Sequence, residues 1–253
     1  MKTLTTPQIK HLVICAAIIS LIGCAKTESD NVRVKGIHAS IGVVAEGNGN
    51  TTVNTTLKVG SGLGGTTLEL SSSDTLLAYA NGVTRVMRDN SSFLGASYTT
   101  TFPFDDEGTE FRVEFNRSEG TSAPNSVVTL PAPFSITSTP GITYAKNAIV
   151  SVTWEPAYTT DDMLVDYWIT CPGSNGNSYL ATYTVGAVDN GQRDITVSEI
   201  LSKASPGIRD SSRGCTLEIK VIRRRLGELD PHYGEGGSIS AAQKRKISVN
   251  IAP

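Results

Sequence analysis

The sequence is poor in cysteine, in aromatic side chains and in net charge. Its 253 residues include four cysteines, 6% aromatic residues and a formal net charge of −2. The sequence lacks the excess of positive charge that would predict binding to nucleic acid. A sugar-binding platform needs exposed rings on one face, and the few aromatic side chains give little material for one. Composition therefore argues against the nucleic-acid-binding class and gives the sugar-binding class little support.

Catalytic motifs are also missing. The sequence contains no G-x-S-x-G elbow, H-E-x-x-H pair or Walker loop. His38 lies in a stretch typical of a strand, "VKGIHASIGVV". His232 follows Asp230 in "ELDPHYGEGG", where the two could act as a base and its orienting carboxylate, but this stretch favours a loop. We expect no enzyme, and a hydrolase that uses His232 and Asp230 is an alternative.

The apolar run near the N-terminus is too short to cross a membrane. It extends from Leu12 to Ile22, whereas a membrane-spanning helix needs about 20 apolar residues. Lys2 and Lys10 precede it. A basic flank followed by a short apolar core is the pattern of an export signal, so we expect residues 1–23 to be removed.

The end of this run, Leu21-Ile22-Gly23-Cys24, resembles the lipobox of bacterial lipoproteins. That resemblance implies cleavage before Cys24, a diacylglycerol thioether on its sulfur and acylation of its amino group, for example with palmitate. Several acyl chains hold a protein on a bilayer firmly, because each buried CH₂ contributes about 0.8 kcal/mol. Ala25, where an Asp would favour the inner membrane, implies the outer membrane. Membrane lipid is then the first partner, and the body faces the periplasm or the cell surface.

Two further cysteines remain in the mature chain, Cys171 and Cys215. An even pair in an oxidising compartment predicts a disulfide. Closing a loop of about 45 residues contributes about 4 kcal/mol in the chain-entropy model. A metal site needs more ligands than two distant cysteines.

Alternation of apolar and polar residues dominates the rest of the chain and predicts strands. Phe111, Val113 and Phe115 alternate with charged residues, and Asn81-Gly82 suits a type I′ hairpin turn. Two prolines in 131–133 interrupt this pattern. We therefore predict an all-β protein with two antiparallel β-sandwich domains. The predicted division is a signal peptide (1–23), a lipidated tether (24–31), an N-terminal sandwich (32–130) and a second sandwich (131–253).

The second half resembles a fibronectin type III or related immunoglobulin-like domain. The resemblance rests on the stretches "AIVSVTW", "LVDYWITC", "RDITVSEIL", "GCTLEIKVIRRR" and "KISVNI". It implies that Trp154 fills the core and that Cys171 and Cys215 lie on neighbouring strands. This departs from the immunoglobulin bond, which crosses between the sheets. The mature chain also resembles uncharacterised gammaproteobacterial lipoproteins that share "LPAPFSI" and "GGSISAAQKRKISV", which implies no activity.

Charge runs and one tryptophan supply the candidate binding residues. An acidic run supplies carboxylates that calcium prefers, yet its spacing does not match an EF-hand and is typical of a solvated turn, so we predict no metal. Its members are Asp105, Asp106, Glu107 and Glu110. Two basic runs have a predicted position on an outer face, Arg223-Arg224-Arg225 and Lys244-Arg245-Lys246. Trp168 alternates opposite to Tyr167 and Ile169, and it is predicted to point outward with Tyr233 as a second exposed ring.

The function expected from the sequence is a non-catalytic interaction or structural module presented at the envelope, without a cofactor. Its partner is expected to be an envelope protein or a glycan. A carbohydrate-binding or adhesion module is the first alternative, and it rests on Trp168 and the basic runs. The hydrolase is the second.

Overall fold

The computed structural model describes residues 26–60, 65–91, 96–157, 160–174, 176, 178–203, 210 and 212–253. The predicted signal peptide, the lipobox and Cys24 lie outside the described residues. Within the described ranges, no helix has the length and apolar character needed to cross a membrane.

The regular secondary structure of the described residues consists almost entirely of β-strands, which confirms the predicted fold class. Its first ten strands are β1 (Lys26–Glu28), β2 (Ile37–Ala45), β3 (Thr51–Val59), β4 (Thr66–Glu69), β5 (Thr75–Ala80), β6 (Val83–Val86), β7 (Arg88–Asp89), β8 (Tyr98–Phe102), β9 (Glu110–Asn116) and β10 (Ala123–Thr129). The next eight are β11 (Ser135–Ile136), β12 (Thr143–Tyr144), β13 (Ile149–Glu155), β14 (Asp162–Pro172), β15 (Ser178–Ala187), β16 (Gln192–Thr196), β17 (Cys215–Leu226) and β18 (Ser238–Ile251). One helix, α1, spans Val197–Lys203.

The strands form one large sheet and two small ones. The large sheet has the order β1-β4-β3-β2-β18-β17-β14-β15, with β8 beside β3, β7 beside β8 and β12 beside β18. A four-stranded sheet, β10-β9-β5-β6, and a three-stranded sheet, β11-β13-β16, complete the fold. Each small sheet packs a hydrophobic core against a different half of the large sheet. The result is two sandwiches that share one sheet.

Alternation along the strands places the core residues. In β9, Phe111, Val113 and Phe115 are buried while the residues between them are half-buried. In β17, the residues facing the second core are Cys215, Leu217, Ile219 and Val221. Trp154 on β13 is fully buried in that core, as predicted. Period-two alternation reports burial here because side chains along a strand alternate between its two faces.

The last strand, β18, belongs to both sandwiches. Its first half pairs in parallel with β2, from Ser238 opposite Ser40 to Gln243 opposite Ala45. Ile239 and Ala241, in the first half of β18, are buried in the first core. The buried apolar residues in the second half of β18 belong to the second core. These residues are Ile247, Val249 and Ile251. β17 pairs with β18 along twelve residues and so links the two halves. The domain division at residues 130 and 131 stays a prediction.

The N-terminal segment assigned to a tether also takes part in the fold. Lys26–Glu28 pair in parallel with β4, and a 3-10 helix follows at Ser29–Asn31. The Ser29 hydroxyl is buried and donates to Asp74 Oδ2 at 2.7 Å. Any tether therefore ends before Lys26.

Two local predictions are confirmed. Asn81 and Gly82 have φ values of 46° and 76° and join β5 to β6, as a type I′ turn requires. Cys171 and Cys215 form a disulfide with their Cα atoms 4.4 Å apart. They stand at the matching ends of the antiparallel neighbours β14 and β17, where Thr170 lies opposite Thr216. The bond therefore joins adjacent strands of one sheet.

Candidate functional site

The residues that support a hydrolase are used to hold a loop. His232 Nδ1 lies 2.8 Å from Asp230 Oδ1, the geometry of a base and its carboxylate. The buried Asp230 carboxylate also accepts hydrogen bonds from the backbone N–H groups of His232 and Asn125, at 2.9 and 2.7 Å. These two backbone bonds give Asp230 a structural role in closing the loop after β17. His38 is a half-buried residue of β2.

The acidic run is spread along a turn and the strand after it. Asp105 Oδ2 accepts the backbone N–H of Gly49 at 2.9 Å, while Asp106 and Glu107 are exposed. Glu110 lies on an exposed position of β9. In the part of the chain that the structure describes, no group of three acidic, histidine or cysteine side chains could hold a metal ion.

The prediction that Arg223 lies on an outer face, where it could bind a ligand, is wrong. Arg223 is fully buried. Its Nε donates to Asp189 Oδ2 at 2.8 Å, and its other nitrogens donate to backbone carbonyl oxygens. Those acceptors include Ala132 at 2.8 Å and Pro156 at 2.7 Å. Asp189 Oδ1 accepts the Trp154 indole N–H at 2.8 Å. The arginine thus fastens the chain between β10 and β11 to the second core.

The two other arginines of this run are paired near the surface. Arg224 Nη2 lies 3.1 Å from Asp162 Oδ2. Arg225 donates to both carboxylate oxygens of Asp161, at 2.8 and 2.9 Å. These hydrogen bonds to Asp161 raise the pKa of the Arg225 guanidinium. Both charges are partly engaged within the chain, which leaves less of each for a ligand.

Trp168 points outward, as predicted, and 38% of the residue is exposed to solvent. The Lys220 ammonium lies 3.7 Å from the centroid of its ring, a cation–π contact that covers one face. The prediction that the Tyr233 ring is exposed is wrong. The ring is buried and packs parallel to the Phe115 ring, with the two centroids 6.4 Å apart. Burial, with a smaller contribution from Asp230, raises the pKa of Tyr233. The described rings therefore do not strengthen the sugar-binding alternative.

A cavity of about 510 Å³ lies between β18 and β11, and we call it the basic groove. Four cations line it together with two carboxylates: Lys220, Lys244, Arg245 and Lys246, with Glu46 and Glu218. Its volume is in the range of small-molecule pockets. The second basic run of the sequence therefore does lie at a concave surface.

A second candidate binding surface, besides the basic groove, is the outer edge of β15. This ten-residue strand, "SYLATYTVGA", pairs with β14 without a register shift from Ser178 to Ala187. No described strand pairs with its other side. It contains no charged residue and no proline, and Leu180 and Tyr183 are 57% and 44% exposed. Lys203 of α1 approaches it, with its ammonium 5.5 Å from the Tyr183 ring centroid.

Sequence reasoning missed β15. The signal was present, since threonine, tyrosine and valine are strand formers and glycine- and asparagine-rich turns flank the run. Alternation is present, since Ala181, Val185 and Ala187 pack on the second core while the residues between them are exposed. It is weak as a signal because two of these inward residues are small alanines and Leu180 lies on the exposed face.

Comparisons with known proteins identify no family. No family model matches the sequence, and no curated protein matches it. Among solved structures, a segment of two fibronectin type III domains from chicken tenascin aligns at 11% identity and a TM-score of 0.22. The alignment covers 82% of this chain and 98% of that one. An I-band fragment of titin aligns at 12% identity and a TM-score of 0.23, over 81% of this chain and 62% of that one. TM-scores this low carry no argument about function.

Proposed function

We propose that the protein is a lipid-anchored envelope module that binds another polypeptide through the open edge of β15. The observation that carries the proposal is this ten-residue strand, which has no charged residue and pairs on its outer side with no strand that the structure describes. Natural proteins protect exposed strand edges with lysine, proline, bulges or covering segments. An unprotected edge is instead suited to accept a strand from a partner, because each unpaired N–H and C=O group can bond to it.

The anchor part of the proposal has a geometrical consequence. β1, β4, β2 and β18 run in the same direction, so Lys26 lies at the end of the large sheet away from the second core. Its distance from the level of Ile251 is about 50 Å along the strands. A lipid on Cys24, two residues before Lys26, would hold the molecule by this end and present β15 far from the bilayer.

The anchor is tested by labelling cells with radioactive palmitate. We expect the wild-type protein to carry label and to sediment with outer membranes, while the Cys24→Ser variant carries none and is absent from that fraction. The expected difference is essentially complete, since the acyl chains supply the attachment. An unlabelled wild-type chain that leaves the envelope in plain buffer would contradict the anchor and would not bear on β15.

The binding edge is tested with a photo-crosslinking amino acid in cells. Placed at Thr182 on β15, it should give a discrete crosslinked product. Placed at Thr216, which is exposed on β17 with β14 between it and the open edge, it should give little or none. Adding a charge at the edge with Thr184→Lys should reduce the Thr182 product several-fold, because lysine opposes strand addition. Equal products from Thr182 and Thr216 would reject β15 as the interface.

A further inference from the structure

The basic groove carries more positive charge than its own carboxylates neutralise. Glu218 lies 3.1 Å from Lys220 and 3.9 Å from Lys246, so it serves two cations. Lys244 lies 3.3 Å from the exposed Glu46. These contacts leave the groove with a net positive charge before any ligand binds.

Arg245 is a cation of the groove that forms no ion pair with any carboxylate of the described residues. Its hydrogen bonds go to neutral acceptors, the backbone oxygens of Ala45 and Lys244 and the amide oxygen of Gln243. Burial is the largest effect and lowers the pKa of the Arg245 guanidinium; Arg223 acts in the same direction, while the charges of Asp105 and Glu46 oppose it in part. A carboxylate placed in the groove would offset the effects of burial and of Arg223 by Coulomb attraction.

The groove lies against a short stretch of β18 that no described strand covers, in which the Lys244 carbonyl already accepts a hydrogen bond from Arg245 Nη1 at 2.9 Å. β2 pairs with β18 as far as Gln243, and β12 begins its pairing at Asn250. The Ser248 carbonyl accepts the N–H of Gly141, and the Asn250 N–H donates to the Ile142 carbonyl. Even-numbered residues therefore direct their backbone groups away from β17. By the same alternation, Lys246 directs its N–H and C=O to this side, where no described strand pairs with them.

We propose that an extended acidic segment of a partner protein adds to the open edge of β18 and places its carboxylates in the basic groove. Lys244 and Lys246 stand two residues apart on one strand, a spacing of about 6.6 Å. An added strand with acidic residues at alternate positions repeats that spacing. Main-chain hydrogen bonds would give affinity and the lysines would select the sequence. This second site goes beyond the proposed function and depends on neither the lipid nor β15.

The first test measures binding of a fluorescent decapeptide of alternating Glu and Thr to the full-length chain in detergent micelles. We expect saturable binding that weakens with salt, and none for the matching Lys-Thr peptide. Replacing both Lys244 and Lys246 with Glu should weaken binding at least about tenfold, since two surface ion pairs become repulsive. Equal binding of the two peptides would overturn the proposal.

The second test separates the backbone from the charge. Lys246→Ala and Lys246→Pro remove the same charge, but only proline removes the outward N–H. Proline is tolerated at such an edge because that N–H takes no part in the ladder with β17. We expect Lys246→Pro to lose several-fold more affinity than Lys246→Ala. Equal losses, in variants whose melting curves show folded protein, would reject strand addition.

The third test moves Arg245 without changing any charge. A Cβ atom on Gly47 would stand 2.5 Å from Arg245 Cζ, whereas one on Gly49 would meet nothing within 4 Å. Both glycines have positive φ, 77° and 78°, so alanine causes matched backbone strain. We expect Gly47→Ala to weaken peptide binding several-fold and Gly49→Ala to leave it unchanged.

Free anions distinguish a peptide site from a general anion site. If inorganic phosphate displaces the Glu-Thr peptide at comparable concentrations, the groove binds charge alone and the proposal fails. If phosphate competes only through the ionic strength it adds, the strand edge contributes, as proposed.

Discussion

Replacing Asp189 with alanine will destabilise the protein by about 3–5 kcal/mol, because it leaves the Arg223 guanidinium buried without its carboxylate. Both side chains are fully buried, and their charged atoms lie 2.8 Å apart. Trp154 would also lose the acceptor of its indole N–H. The free energy of unfolding, measured by urea titration with tryptophan fluorescence, gives the change directly.

The matched control is the exposed pair of Asp162, on β14, with Arg224, the residue that follows Arg223 on β17. Its side chains are 60% and 35% exposed, so Asp162→Ala should cost at most about 1 kcal/mol. Combining Asp189→Leu with Arg223→Met should recover most of the loss, because apolar side chains of similar size carry no desolvation cost. Equal effects of Asp189→Ala and Asp162→Ala would show that Arg223 finds water or another partner on losing Asp189.

A chain cut after Leu130 will not fold cooperatively. The first core needs Tyr233, Ile239 and Ala241 from the C-terminal part of the sequence. Removing them exposes apolar surface worth about 1.5–3 kcal/mol for each large side chain. The cut also leaves β2 without its parallel partner β18. The sum is comparable with the whole stability of a domain of this size. Circular dichroism of residues 26–130 should show no sigmoidal melting transition.

The same coupling is measurable in the full chain. Ile239→Ala should cost about 2–5 kcal/mol in the first core. Both tryptophans, Trp154 and Trp168, lie on strands of the second half. If β18 couples the two cores, tryptophan fluorescence will report the lower unfolding midpoint of this variant. A tryptophan transition that does not move, or a sharp melt of residues 26–130, would show two independent domains and support the division at residue 130.

For Arg223, the sequence could predict the direction of the side chain but not its buried partner. The inward residues of β17 are odd-numbered from Cys215 to Val221. Continuing that alternation places Arg223 inward as well, but its charge favoured a surface interpretation. A buried arginine needs a partner, and that partner, Asp189, comes from a loop 34 residues earlier in the chain. No local pattern identifies such a partner.

The sequence by itself determined the all-β class, many of the strands and the hairpin at Asn81-Gly82, because alternation and turn geometry are local properties of a few neighbouring residues. The pairing of Cys171 with Cys215 followed from the number of cysteines left in the mature chain. Only the tertiary structure decided that β18 serves both cores, that no described strand pairs with the outer edge of β15 and that Lys244, Arg245 and Lys246 line a groove. Those features depend on which distant strands pair, and pairing follows from burying the faces of the whole sheet together.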